Sequence, residues 1–148
     1  MKRFAWRLQR VLDIRTKEEQ KKTAELLDIT DKLLAARSEL LIKKKLLENI
    51  INDITAESPK TRLSKQEFFL AYSYTIDEQL KKLKEKIRHL EIQQKDKIME
   101  VIKVRRAKEG LEKLRNEAKT EYIKEQEKYD QKELDDGATV SFVRNPQS

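Results

Sequence analysis

Ala56-Glu57-Ser58-Pro59-Lys60-Thr61-Arg62-Leu63-Ser64 decides how this chain folds. Long stretches with helical patterning run on either side of it. Pro59 lacks an amide hydrogen and pushes Ser58 out of the helical region, so a helix arriving from the N-terminal side stops here. Ser64-Lys65-Gln66-Glu67 follows with the form of a capping box. In that motif the Ser64 hydroxyl accepts from the Glu67 amide while the Glu67 carboxylate accepts from the Ser64 amide. The stretch therefore predicts a turn over about 57–63 between two helices, rather than one kinked rod. The expected architecture is all-α, a long antiparallel two-stranded coiled-coil hairpin. Helix 1 is expected over about 3–56 and helix 2 over about 64–135. Together they form a single unit, 1–137, and the tail 138–148 is expected to lack fixed structure.

Composition supports the same class. Of 148 residues only two are Gly and two Pro, too few breakers for a fold of many short elements. Charged residues make up 41% and apolar ones 37%, which suits helices with a narrow buried stripe and a wide solvated face. No Cys is present, so disulfides and thiolate metal sites are excluded and a reducing compartment is consistent. No apolar run approaches the roughly 18 residues of a membrane span. Arg7 and Arg10 interrupt any signal-peptide core, so a cytoplasmic setting is expected. The formal charge of +7 is concentrated at Lys2, Arg3, Arg7 and Arg10 and again at Lys103, Arg105, Arg106 and Lys108. Phosphate binding would need such charge, but 27 acids are interleaved with the 34 bases. Mixed charge along helices marks a solvated face, and no nucleic-acid partner is expected.

On the first helix Leu12, Leu26, Leu33, Leu40, Leu47 and Ile54 share a seven-residue frame broken only by Glu19. Ile29, Ala36 and Ile50 supply the companion positions. This is the 3.5-residue period that winds helices around each other. The doublets at 26/27, 33/34 and 40/41 widen the stripe, either to cover the seam's shoulder or to meet a further partner. Between Arg15 and Thr23 the stripe is nearly all charged, which predicts weak packing and local mobility. On the second helix Ile76, Leu80, Leu83, Ile87 and Leu90 form the seam. Gln94, Ile98 and Val101 then step as a stutter, before Val104, Ala107, Leu111, Leu114, Ala118 and Tyr122 continue it. Counting outward from the turn pairs residues whose numbers add to about 119, placing Leu47 by Tyr72, Leu40 by Leu80, Leu33 by Ile87 and Leu12 by Ala107. That register brings the two basic clusters to one open end, and the second helix overhangs the first by roughly 15 to 20 residues. Gly110 would then permit close approach near Gln9, or mean nothing. Gly137 is expected as a left-handed cap.

Little catalytic chemistry is present. His89 is the one histidine, and there is no phosphate-binding glycine loop. The carboxylates lie on exposed faces, where nothing excludes water. Neither enzyme activity, nor a cofactor, nor a metal is expected. Phe68, Tyr72, Thr75 and Gln79 step by four, three and four along one face near the turn, and aromatic residues are frequent interface anchors. Rings packing on Leu46, Ile50 and Ile54 at the hairpin tip are the alternative there.

The opening Phe4-Ala5-Trp6-Arg7-Leu8-Gln9-Arg10-Val11-Leu12-Asp13-Ile14-Arg15 resembles the start of the flagellar export protein FliJ family. Glu127-Lys128, Gln131-Lys132, Leu134-Asp135-Asp136 and Ala138 are similar to that family's ending, with Asp136 where Glu is usual. The resemblance implies a non-catalytic coiled-coil stalk of the flagellar type III protein export apparatus. Its partners would be the ring of the export ATPase FliI, the export-gate protein FlhA and export chaperones. It would act at the cytoplasmic face of the inner membrane through those partners. The family's gate-binding stripe would fall on Phe68, Tyr72, Thr75 and Gln79, with Glu39, Lys43, Leu46 and Ile50 on the first helix. Thr75 and Gln79 stand where Ala and His are typical. The terminal end, with Phe4, Trp6, Arg7, Arg10, Arg105 and Arg106, would contact the ATPase ring. A prefoldin-like holdase and a generic structural coiled-coil adaptor are the rival readings. The turn is too short for a prefoldin β-hairpin.

Overall fold

The computed structural model describes residues 3–144. Helix α1 spans Gln9–Ala56 and helix α2 spans Pro59–Arg144, and there is no strand among the described residues. The fold is an all-α hairpin of two long helices packed on each other. By internal contacts the chain forms two compact units, residues 20–102 with the turn and residues 1–19 with 103–148, each built from both helices.

The turn is tighter than its sequence suggests. α2 begins at Pro59, so only Glu57 and Ser58 link the helices. Proline suits the first helical position, where its missing amide hydrogen has no intrahelical partner in any case. The Ser58 carbonyl accepts from the amides of Thr61 (3.2 Å) and Arg62 (2.9 Å) and so starts α2. Ser64 to Glu67 consequently lies inside the helix rather than at its start. The Arg62 guanidinium turns back and donates to the carbonyls of Thr55 (3.0 Å) and Glu57 (3.3 Å), filling acceptors that the end of α1 leaves open. Glu57 in turn accepts from the Thr61 hydroxyl and pairs with Lys65, and these hold its carboxyl below the ordinary range, Lys65 first.

The α1 seam follows the seven-residue frame. Leu12, Leu33, Ala36 and Ile54 are buried, while Leu26, Ile29, Leu40, Leu47 and Ile50 are half-buried. On α2, Ile76, Leu83, Leu90, Val101 and Val104 are buried. Leu33, Ala36 and Leu90 form a core cluster, and Ile87 packs against it. The expected stutter is absent. Lys97, not Ile98, takes the seam position, half-buried where Ile98 is exposed. Likewise Lys108 is half-buried where Ala107 is exposed, and Arg115 is half-buried where Leu114 is exposed. The four-three spacing therefore runs through Gln94, Lys97 and Val101 in one unit. It runs through Val104, Lys108, Leu111, Arg115, Ala118 and Tyr122 in the other. Long cationic side chains can bury their stems in such a seam while their heads reach acids across it.

The register differs from a count outward from the turn by about one helical turn. Lys43 meets Gln79, Thr30 meets Gln94 and Gln9 meets Arg115. The interlocking of seam residues sets the register, and the middle of the breaker stretch does not. Gly110 thus does not face Gln9, and a Cβ there would meet nothing within 4 Å. The N-terminal Arg3–Leu8 is not part of α1. It is basic and offers no acid to the helix N-terminus, and Phe4 is drawn onto α2 instead. At the other end α2 passes through Gly137, which has no positive φ, and continues to Arg144. Extending an existing helix adds a backbone bond per residue fixed, so one glycine does not stop it. Of the tail expected to lack structure, residues 138–144 are helical and 145–148 lie outside the described residues.

Candidate interaction surfaces

In the terminal unit an aromatic contact closes the helix pair. The Phe4 ring lies 5.4 Å from that of Tyr122 at 51°, and the Arg115 guanidinium stands over Phe4 at 5.6 Å. Arg115 Nε also donates to Gln9 Oε1 at 2.8 Å, and Gln9 Nε2 donates to Asp13 at 3.0 Å. A groove of about 590 Å³ runs beside this contact, lined by Arg3, Phe4, Tyr122, Ile123, Gln126, Glu127 and Asp130. The Tyr122 hydroxyl is buried without a hydrogen-bond partner. Trp6 is half-buried, while Arg7 and Arg10 are exposed.

Arg105 and Arg106 are exposed too, but they do not join this group. Arg105 Nε donates to Glu19 Oε1 at 3.2 Å, and Glu19 lies about 15 Å along α1 from Gln9. Lys108 Nζ sits 2.9 Å from the other Glu19 oxygen. Lys108 and then Arg105 hold the Glu19 carboxyl below its ordinary pKa, and Glu19 raises that of Lys108. Because of the shifted register, Arg115 and Tyr122 occupy the position opposite the N-terminal motif. Arg115 was legible only by extending the seven-residue frame through Val101, Lys108 and Tyr122 without insisting on apolar residues.

In the other unit the charged stretch of α1 is crossed by ion pairs. Lys97 bridges Glu25 (2.8 Å) and Glu100 (2.9 Å), and Lys22 pairs with Glu100 at 3.1 Å. Glu25 foremost and then Glu100 raise the Lys97 pKa, and Lys97 lowers both of theirs. No apolar residue is buried between Leu12 and Leu33. Leu26 and Ile29 are half-buried there, and the polar pairs stand beside them.

Near the turn Phe68 and Tyr72 stack at 6.0 Å and 15°, both exposed, at 69% and 37%. Thr75 and Gln79 continue that exposed face. Gln79 accepts from Lys43, which also pairs with Glu39 at 3.5 Å. Phe69 is half-buried, in line with the seam, and Leu70 and Tyr74 are exposed. The rings thus divide between seam and solvent.

Two long helices packed along an apolar seam that polar pairs interrupt, with exposed aromatic residues, define an all-α helical hairpin. The model of the flagellar FliJ protein family matches residues 4–147. The chain belongs to that family, which makes it a component of flagellar protein export. No curated protein and no solved structure matches it. Among the described residues no helix is long and apolar enough to cross a membrane.

Proposed function

We propose that this chain is a non-catalytic central stalk of the export apparatus. Its terminal unit enters the ring of the export ATPase and promotes ring assembly and ATP hydrolysis. One observation carries the reading. α2 continues past the Phe4–Tyr122 contact as a single helix whose side chains from Glu127 to Val143 are all exposed, Tyr129, Leu134, Val140, Phe142 and Val143 among them. An isolated helix with such residues calls for a surrounding protein. Phe4, Trp6, Arg7 and Arg10 form the adjoining contact group, with Arg105 and Arg106 as a separate basic group further along. Phe68, Tyr72, Thr75 and Gln79 form a second surface, for the export-gate protein, and export chaperones are further partners. The protein works at the cytoplasmic face of the inner membrane through these partners.

The test is ATP hydrolysis by the matching export ATPase with and without the chain, with Trp6→Ala and Arg10→Ala in parallel. Stimulation reduced by both substitutions supports the stalk, and no stimulation removes it. Phe68→Ala and Tyr72→Ala should leave that stimulation intact while weakening capture by the purified gate protein. The two-residue link between the helices speaks against a prefoldin-like holdase.

A further inference from the structure

Leu27, Leu34 and Leu41 stand seven residues apart on α1 and are 61%, 64% and 68% exposed. They do not cover the shoulder of the seam. Arg37, three residues after Leu34 and four before Leu41, bonds Glu91 of α2 at 3.0 Å. The leucines therefore run along the flank on which that ion pair crosses. The same spacing brings Lys84, Arg88 and Lys95 of α2 to this flank, at seven before, three before and four after Glu91. Lys44, seven after Arg37, joins them from α1. All four cations are exposed, and none makes an ion pair among the described residues. Asp31 and Glu48 are the only acids beside the stripe on α1. On the opposite flank Lys43 pairs with Glu39 and bonds Gln79, and the exposed Lys82 and Lys86 stand near Gln79 with no leucine row beside them.

We propose that this flank docks an acidic amphipathic helix of a partner protein. Its apolar residues would sit between Leu27, Leu34 and Leu41, and its carboxylates would meet Lys44, Lys84, Arg88 and Lys95. A sevenfold leucine spacing over about 20 Å matches a partner with the period of a helix, which neither a bilayer surface nor an irregular segment requires. The surplus of unpaired cations selects an acidic partner. A second copy of this chain docked by the same flank would set those cations against their own kind. The surface is distinct from the ring-contacting and gate-contacting surfaces proposed above.

The experiment titrates the full chain with two synthetic helical peptides of about 20 residues, both with leucine on a sevenfold frame. One is flanked by Glu and the other by Lys. The Glu peptide should bind, more weakly as salt rises, and Leu34→Gln or Arg88→Glu should weaken it about tenfold. Ile42→Gln, at an exposed position on the other flank, should change nothing. Helicity is checked by circular dichroism, and Arg88→Glu carries the test if Leu34→Gln fails to fold. Equal binding of both peptides, or binding of neither, overturns the proposal. So does a Leu34→Gln effect confined to phosphatidylserine vesicles or to self-association in sedimentation.

Discussion

The ammonium of Lys108 lies 2.9 Å from the carboxylate of Glu19, and both residues occupy seam positions that leucine fills elsewhere. Their side chains are only 26% and 16% exposed. Removing one partner leaves a charge in the seam that water reaches poorly, whereas replacing both with apolar groups removes the desolvation cost altogether. Glu19→Leu alone should therefore lower the melting temperature. Glu19→Leu with Lys108→Leu should bring it back to the parent value or above. A thermal melt of the four proteins measures the coupling, and a double variant less stable than either single one would contradict the argument.

The same pairs set the response to pH. Glu19, Glu25 and Glu100 all have folded-state pKa values below the ordinary carboxylate value, held down by Lys108 first for Glu19 and by Lys97 first for the other two. A depressed carboxylate contributes stability above its unfolded pKa and loses it as pH falls through the folded one. Lys97 and Lys108 are raised, so their contribution is complete below the unfolded lysine value and fades as pH rises through the folded one. The melting temperature should be level between about pH 5 and pH 10 and fall on both sides. Glu19→Gln should flatten the acid limb when melts are recorded at constant ionic strength.

These pairs also mark where the sequence could be read and where it could not. Leu33, Ala36, Ile76, Leu83 and Leu90 stand out because an apolar residue every three or four positions has one interpretation in a helix. Lys97, Lys108 and Arg115 adjoin the apolar Ile98, Ala107 and Leu114, to which a hydrophobic pattern assigns the seam. Hydrophobicity ranks a lysine as surface, whereas its four-carbon stem packs like an aliphatic one. That substitution of neighbours created the apparent stutter. The register was illegible for a related reason. It depends on which knobs interlock along each unit, and the polar ones were missing from the pattern. The exposed Phe68–Tyr72 face was legible only as one of two alternatives, because rings near the turn could equally pack on Leu46, Ile50 and Ile54 at the hairpin tip.

At the turn, Arg62 ties the end of α1 to the start of α2 through the carbonyls of Thr55 and Glu57. Those acceptors have no intrahelical donors. Arg62→Ala should cost about 1 kcal/mol of stability, the usual net worth of a partly exposed hydrogen-bonding group. Hydrogen exchange should rise most around residues 52–66, with little change near Leu33. Uniform loss of protection along both helices would instead mean that the turn nucleates the whole hairpin.

Gly110 offers the opposite opportunity. It lies inside α2 with no positive φ, and a Cβ built there meets nothing within 4 Å. Glycine in a helix interior is about 1 kcal/mol less favourable than alanine, through the entropy of the unfolded chain. Since the folded structure neither needs the missing side chain nor resists a new one, Gly110→Ala should stabilise the chain by about that amount. Gly137→Ala has equally open surroundings. It lies where every neighbouring side chain is exposed, so local opening there breaks no buried contact, and the substitution should raise helicity without moving the main transition. Circular dichroism melts of both variants make the comparison. A destabilised Gly110→Ala would contradict the argument, because nothing in the folded contacts accounts for such a loss.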